Sequence, residues 1–454
     1  MSRKRRGVFA SALTASMLLL AGCGSSSTTS SPAASSSGGA SGGASGGASG
    51  GASSGASGST INLSFWNGLT GPDRPAIEHL VSQFNASHPA IKISMQIMPW
   101  DVLYQKLLPA YGAKQGPDLV GMDSNQLPVY ASKGVLQPLD SMFDQDGVQK
   151  SSLVAPALAA GTFQGKVFGV PIESTPVVLY YNKKMFTAAG LDPAKPPTKW
   201  DEWAADAKKL TTGSGPGGKP TKYGLAFGVH DTVEVMPILM WMADGGILSQ
   251  DGKQVLLNSA GSKQAVQKWA DLITNDHISP PGLSGADADK LFSSGAAAME
   301  VNGPWATTGY KQAGIDYGLA PVPTGPNGKK ISLGNTTSMA AGANLNADQL
   351  KAAATFYSYL AQQDSQTYFA LKTGFPPFTT NVPSSALASN PDVSAFASQA
   401  ANARALAPGQ SSFASIQGEV FDPTIEKIIS APANTSSLLD NAAKQVQALM
   451  AGSK

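Results

Sequence analysis

Apolar and polar residues alternate along Ile61-Asn62-Leu63-Ser64-Phe65-Trp66, the pattern of a strand with one buried face. A Gly/Pro/Asp turn then leads into a segment where Ile77, Leu80, Val81 and Phe84 share one face at helical spacing. Ile91 to Ile97 alternates again, Leu103, Leu107 and Leu108 mark a second helix, and Leu119-Val120-Gly121-Met122 is a continuous apolar run. Strand, helix, strand, helix, strand predicts a parallel sheet covered by helices, an α/β fold whose ligands gather beyond the carboxyl ends of the strands. The first unit is expected to end near Val170-Pro171-Ile172-Glu173, and Val177-Val178-Leu179-Tyr180-Tyr181 to start another sheet. Thr198 is a candidate helix cap, with Asp201 three residues on and Trp203, Ala207 and Leu210 behind it. Further helices are predicted over residues 234–243, 263–275 and 347–362, and a last one carries Leu439, Ala443, Val446 and Leu449. No period of about 20–50 residues recurs, which excludes a solenoid.

Ahead of this body, Arg3, Lys4, Arg5 and Arg6 form a basic head and residues 8–20 a short apolar run. The run is too short to span a bilayer as a permanent helix, so it reads as the core of an export signal. It ends in Leu20-Ala21-Gly22-Cys23, which resembles the lipobox of bacterial lipoproteins. That resemblance implies removal of residues 1–22 and lipidation of Cys23, which anchors the mature chain outside the cytoplasm, on the outer face of the membrane. Cys23 is the single cysteine, so no internal disulfide can form. Residues 24–59 are almost entirely Gly, Ser and Ala. With nothing to bury, about 36 such residues predict a flexible leash with a reach of roughly 30–36 Å. A spacer through cell-wall polymer is a compatible role.

The body from Thr60 onward is long enough for a large core and too long for one compact domain. Without the signal, basic and acidic residues number 28 and 30, so the mature chain is close to neutral. No basic run is present to neutralise phosphates, which excludes a nucleic-acid partner. No second apolar stretch approaches membrane-spanning length. Past the signal only Arg74 and Arg404 supply guanidinium groups, whereas all seven tryptophans lie in the body. Scarce arginine argues against a strongly anionic ligand, although backbone amides at a helix start can take its place.

Several segments together resemble the family 1 extracellular solute-binding proteins of sugar-importing ABC transporters. They are Ser82-Gln83-Phe84-Asn85 with His88-Pro89, Pro117-Asp118-Leu119, Gly134-Val135-Leu136-Gln137-Pro138-Leu139, and Pro171-Ile172 through Leu179-Tyr180-Tyr181-Asn182-Lys183. Ala297-Ala298-Met299 with Asn302-Gly303-Pro304-Trp305 is very close to a stretch of maltose-binding proteins, and Lys372-Thr373-Gly374-Phe375-Pro376 is similar to a late loop that reaches the ligand. The resemblance covers nearly the whole body. It implies a two-lobed, type II periplasmic-binding-protein-like fold with hinge crossings and a ligand cleft between the lobes. Lobe one is expected over residues 60–172 and 319–363, lobe two over 173–318 and 364–454. It further implies a monomer that captures a neutral sugar or oligosaccharide by lobe closure and delivers it to an ABC importer permease. No catalysis, cofactor or metal is expected.

A sugar presents apolar C–H faces and a rim of hydroxyls, so its cleft needs aromatic platforms and fixed hydrogen-bonding groups. Trp305 follows a Gly303-Pro304 pair at a strand end and matches the family's sugar-stacking tryptophan. Trp66 and Asn67 close the first strand, where cleft lining and simple packing are both open. Asp123, Asn125 and Gln126 follow the third strand; here Met122 stands where maltodextrin binders carry tryptophan, and Asn125-Gln126 replace an Asp-Arg pair. Glu173 and Thr175 sit at the crossing, Glu173 either accepting from sugar hydroxyls or forming a hinge ion pair. Asn335 and Phe375 are further candidates. Trp100 could line the cleft mouth, Trp200, Trp203 and Trp269 read as core, and Trp241 falls in neither group. Ser174-Thr175-Pro176-Val177 also resembles the glycerophosphodiester-binding subgroup, which keeps that ligand class as an alternative.

Enzyme motifs occur in the wrong settings. Gly51-Ala52-Ser53-Ser54-Gly55 spells a nucleophile elbow inside the leash, and Gly213-Ser214-Gly215-Pro216-Gly217-Gly218 spells a dinucleotide fingerprint after a helix rather than a strand. The four histidines have no metal-ligand spacing, and Asp140, Asp144 and Asp146 lack the full calcium-loop pattern. A secreted carbohydrate-active hydrolase would need two facing carboxylates, such as Glu173 with Glu300.

Overall fold

The computed structural model describes residues 60–71, 73–143, 148–230, 235–406 and 409–452. The export signal, Cys23 and the Gly/Ser/Ala segment lie outside the described residues. Strand β1 (Ile61–Asn67) turns Leu63 and Phe65 inward, as its alternation predicts. It pairs in parallel with β2 (Ile91–Ile97) from Ile61↔Ile91 to Asn67↔Ile97, and with β3 (Leu119–Asp123) at Phe65↔Leu119. The Asp118 carboxylate locks β1 to β3, accepting from both the backbone N–H and the hydroxyl of Ser64 at 2.8 Å. Helix α1 (Asp73–Ser87) buries Ile77, Leu80, Val81 and Phe84 over one face, and α2 (Trp100–Gly112) buries Leu103 and Leu107 on the other. The parallel βαβ reading therefore holds for the first three strands.

Beyond them the sheet departs from that pattern. A long strand, Ser332–Gly342, runs antiparallel to β3, from Thr337↔Asp123 to Ala341↔Leu119. Its other edge pairs antiparallel with Gly169–Pro176, from Gly334↔Pro176 to Ala340↔Gly169. The chain thus stays in the first sheet through Pro176, three residues past the expected end at Glu173. Val178–Asn182 then enters a separate sheet between Met299–Asn302 and Tyr317–Ala320, antiparallel to both. The two passages between sheets meet side by side. The Ser332 hydroxyl accepts from the Val177 N–H and donates to the Val177 carbonyl, each at 2.9 Å.

Each sheet has its own core. The first gathers Leu63, Phe65, Phe84, Met339 and Phe356, together with Phe369, Phe375 and Phe378 from the helix Gln363–Thr373 and the loop after it. The second surrounds Leu179 and Val301 with helices Trp200–Leu210, Val235–Trp241, Ala260–Thr274, Asp422–Ser430 and Thr435–Gly452. At its centre Trp203 and Trp269 are fully buried with ring centroids 4.6 Å apart, and Trp200 meets Trp269 edge-on at 5.9 Å. These three tryptophans are packing residues, as their helical spacing predicts. The helix at 200 is capped by Lys199, one residue past the expected Thr198, and Glu202 rather than Asp201 closes its first turn, accepting from the Thr198 N–H and hydroxyl at 2.8 Å. The two α/β layers make a type II periplasmic-binding-protein fold. No helix among the described residues is long and apolar enough to cross a membrane.

Truncation of Trp269 leaves a cavity against two other indoles, so Trp269→Ala is expected to cost about 3–5 kcal/mol in denaturant unfolding. Ser332→Ala strips Val177 of a buried partner and should cost about 1–3 kcal/mol in the same measurement.

Candidate functional site

Where the chain passes between the sheets, residues of both cores wall a cavity of about 550 Å³. The first sheet contributes Ser174, Gly334, Asn335 and Thr336, the helix Ala155–Ala160 an apolar wall of alanines, and the second core Trp241, Asp244 and Leu248. Arg404, on a two-residue strand paired in parallel to the long strand at Leu333, completes it. Trp241 ends the buried helix Val235–Trp241, and Gly246 stands just beyond it at φ +150°. A Cβ there would press to 3.0 Å from both the Trp241 ring and the Leu248 carbonyl, so a side chain at this position would crowd the indole.

The charges in this wall are unevenly satisfied. Asp244 accepts from Lys329 Nζ at 2.9 Å and Asn327 Nδ2 at 3.0 Å, and the lysine bond holds its carboxyl below the usual carboxylate range. Arg404 is half-buried, and among the described residues no carboxylate lies at ion-pair distance from it. Burial lowers the guanidinium pKa, opposed by the Asp244 charge, and the group remains a cation. The cavity can therefore offer an indole face, hydroxyl and amide groups from Ser174, Asn335 and Thr336, and one cation.

The sequence candidates divide into three sets. Asn335 lines the cavity and accepts from Asn125 Nδ2 at 2.7 Å, while its backbone carbonyl takes the Thr175 hydroxyl, so these three form one hydrogen-bonded group. Gln126 stands beside them as the residue preceding the helix Leu127–Ser132. A second set lines the carboxyl edge of the first sheet. Asp123 accepts from the Tyr104 hydroxyl at 2.8 Å, and Glu173 and Asp123 flank Thr337 in adjacent strands. Burial pushes the Asp123 carboxyl up against the lowering effect of that hydroxyl, and pushes Glu173 well up, aided by the charges of Asp73 and Asp123. Asn67 is fully buried, its Oδ1 accepting from the Leu69 N–H at 3.2 Å while Nδ2 has no partner.

The third set is packed elsewhere. Trp66 is half-buried against the α2 side of the sheet, the face opposite Asn67. Phe375 is 3 % exposed inside the first core, because Gly374 at φ +86° turns the chain back after the helix. Trp305 bridges both cores, its indole lying over Gly303 and its Nε1 without a partner. Trp305 and Gly303 are not in the wall of the cavity at Asn335; the Gly303 carbonyl instead accepts from the Tyr180 hydroxyl at 2.8 Å. Trp100 covers the loop after β1, where a Cβ on Gly68 would strike its ring.

Trp241, Asp244 and Arg404 line the cavity, where sequence reasoning did not place them. The usable signal was Arg404, one of two arginines in the body, which sits in a cavity rather than on the surface.

Of the enzyme motifs, residues 51–55 lie outside the described residues. Gly213, Gly217 and Gly218 adopt positive φ in an exposed turn. Glu300 is buried in the second half of the molecule, bonded by the Tyr310 hydroxyl and Asn302, so it does not face Glu173 across a cleft. Among the described residues no cluster of three or more His, Cys, Asp or Glu could hold a metal.

The sequence profile of the bacterial extracellular solute-binding proteins matches residues 79–395. A putative binding protein of Brucella abortus is 29% identical over 308 residues, 67% of this chain and 72% of the relative. An sn-glycerol-3-phosphate-binding periplasmic protein of Brucella melitensis is 27% identical over 327 residues, 70% of this chain and 74% of the relative. Among solved structures, the cyclic α-maltosyl-1,6-maltose binding protein of Arthrobacter globiformis superposes with a TM-score of 0.73 at 25% identity, covering 86% of this chain and 99% of that one. A Mycobacterium tuberculosis protein in complex with glycerophosphocholine gives 0.75 at 22% identity, covering 86% and 98%. With two α/β layers, a half-enclosed cavity where the chain passes between them and a profile match spanning most of the body, this chain belongs to the bacterial extracellular solute-binding protein family.

Proposed function

We propose that this chain is the lipid-anchored receptor of an ABC importer, capturing a neutral sugar or oligosaccharide between its lobes and presenting it to the permease without chemistry. The observation that carries this reading is the cavity walled from both cores by Trp241 and by the polar row Ser174, Asn335 and Thr336. An indole matches the C–H face of a sugar ring, and amide and hydroxyl groups match its hydroxyls. We draw the lobes by packing, with residues 60–176 and about 332–379 in the first and the remainder of the body in the second. The boundary moves past the expected 363 because Phe369, Phe375 and Phe378 pack with β1 and α1. Cys23 would hold the receptor at the outer membrane face as a monomer, and closure of the lobes would be the signal that the permease reads.

A second reading, a receptor for a glycerophosphodiester or polyol phosphate, is favoured by Arg404. A guanidinium with no carboxylate at ion-pair distance among the described residues, in the wall of a half-enclosed cavity, suits a phosphate oxygen, and relatives named for glycerol-3-phosphate and a neighbour bound to glycerophosphocholine point the same way.

A thermal-shift screen of the full chain against neutral saccharides and glycerophosphodiesters, followed by calorimetry on the hits, separates the two. Stabilisation by saccharides alone supports the first reading, and stabilisation by phosphodiesters alone supports the second. Product release from an oligosaccharide panel would replace both with a hydrolase. Trp241→Ala is expected to weaken the bound solute by about tenfold or more, read by calorimetry, because the platform costs roughly 1.5 kcal/mol or more when lost. Arg404→Gln should leave a neutral sugar within about threefold but weaken a phosphodiester by roughly tenfold or more. Trp305→Ala tests whether the indole that bridges the cores meets ligand on closure: affinity should fall with the fold retained, and an unchanged affinity would remove it from the site.

A further inference from the structure

Beyond the cavity at Trp241 a second hollow of about 850 Å³ opens to solvent. Phe163 and Gln164 wall one side, and residues 251–255 and 409–411 with Gln447 and Met450 wall the other. The two hollows are lined by the same three stretches of chain, each leaving the first and entering the second. The helix Ala155–Ala160 walls the first, and the hairpin that follows it, Thr162–Phe163 paired with Lys166–Val167, walls the second. Residues 248–250 line the first and lead into a turn at 251–255 that lines the second, with Leu248 bridged back to Val255. Residues 403–405 line the first and 409–411 the second. Three segments that pass from one hollow to the other set the two end to end along one groove.

We propose that the solute is a linear oligosaccharide rather than a single sugar unit, one end held at Trp241 and the chain running on into the second hollow between the Gln164 turn and Gln447. This rests on the saccharide reading of the Trp241 cavity and adds to it the length of the chain.

The chemistry of the second wall selects the occupant. Asp251 accepts from the Ser249 hydroxyl at 2.6 Å and from the Lys253 N–H at 3.2 Å, and Lys253 Nζ lies 3.9 Å from its carboxylate. The two charges of this wall therefore answer each other within one turn. What remains is a set of neutral amides from Gln164, Gln254, Gln410 and Gln447. Gln410 steadies the turn by donating to the Gly252 carbonyl at 2.6 Å. Among the described residues no hydrogen bond engages the side chains of the other three. A primary amide offers two donors and an acceptor, a match for neighbouring sugar hydroxyls, and a wall without net charge holds no counter-charge for an anion. Val255 and Met450 add apolar surface for the C–H faces of the rings. Gln164 is held in place at a backbone cost. It sits at φ +48° beside Gly165 at φ +79° in a two-residue hairpin turn, where asparagine or glycine is accommodated with less strain. Size agrees: each hollow alone falls within the roughly 300–1,000 Å³ of a small-molecule site, and the two in series exceed it. Because the second hollow is open on one side, a longer chain can emerge from it into water.

The test is calorimetry on the full chain with malto-, cello- and xylo-oligosaccharides, each series running from the disaccharide to the hexasaccharide. In a series that binds, affinity should rise by about tenfold or more from the shortest member to the longest. The double variant Gln164→Gly with Gln447→Ala, both at exposed positions, should weaken the hexasaccharide by about fivefold or more and leave the disaccharide within about twofold. Amide exchange should show residues 163–166 and 251–255 protected by the hexasaccharide and not by the disaccharide. If the double variant melts early, Gln447→Ala alone is read in its place. An affinity that stays flat with length overturns the extension, and so does a rise that the variant leaves intact or a hexasaccharide that protects neither segment. In each of those cases saccharides still bind, so the receptor reading stands. If no saccharide of any length binds, the saccharide reading falls and the extension falls with it.

Discussion

Backbone pairing between Gly169–Pro176 and Ser332–Gly342 is the constraint on which the rest depends. Both strands leave the first sheet for the second within a few residues of Val177 and Ser332, and the Ser332 hydroxyl satisfies both polar groups of Val177. A buried crossing with open backbone groups would carry a penalty comparable to its own hydrogen bonds. Meeting the two crossings side by side satisfies those groups internally. The cavity opens next to it, walled by Ser174 and Asn335 from these same strands and by Trp241 from the other core.

The site is built from unequal contributions of charge. Asp244 is neutralised by Lys329, whereas Arg404 keeps its charge available to the cavity. A few strands away, Asp73, Asp123 and Glu173 gather acidity at the carboxyl edge of the sheet without a counter-ion. The sheet geometry brings them together: β3 and the crossing strand lie on either side of Thr337, and α1 begins at the same edge. Parallel βαβ units place helix starts at the carboxyl ends of strands, so this edge concentrates both polar loops and amide donors.

Much of this was legible in the chain. Alternation fixed β1, β2 and α1 because one face of each meets a core and the other meets solvent or a neighbour, and the segment resemblance identified the family and the crossing at residues 171–183. Trp200, Trp203 and Trp269 could be assigned to packing because helical spacing sets them on the buried sides of their two helices. Asn125 after the third strand, Thr175 at the crossing and Asn335 were candidates in the sequence, and the structure joins them in one hydrogen-bonded group.

What only the tertiary structure decided are relations between residues far apart in sequence. Ser332–Gly342 is buried on nearly its whole length, so it has no period from which its antiparallel insertion could be read. Phe375 passes as a ligand residue by motif, yet a left-handed glycine turns it into the first core. Trp241, Arg404 and Ser174 line one cavity only because segments far apart in the chain pack together. Local sequence determines which face of an element is buried, because that choice depends on the spacing of its own side chains. Which faces then confront one another depends on long-range packing, and a single sequence carries that information only in sum, not at any one position.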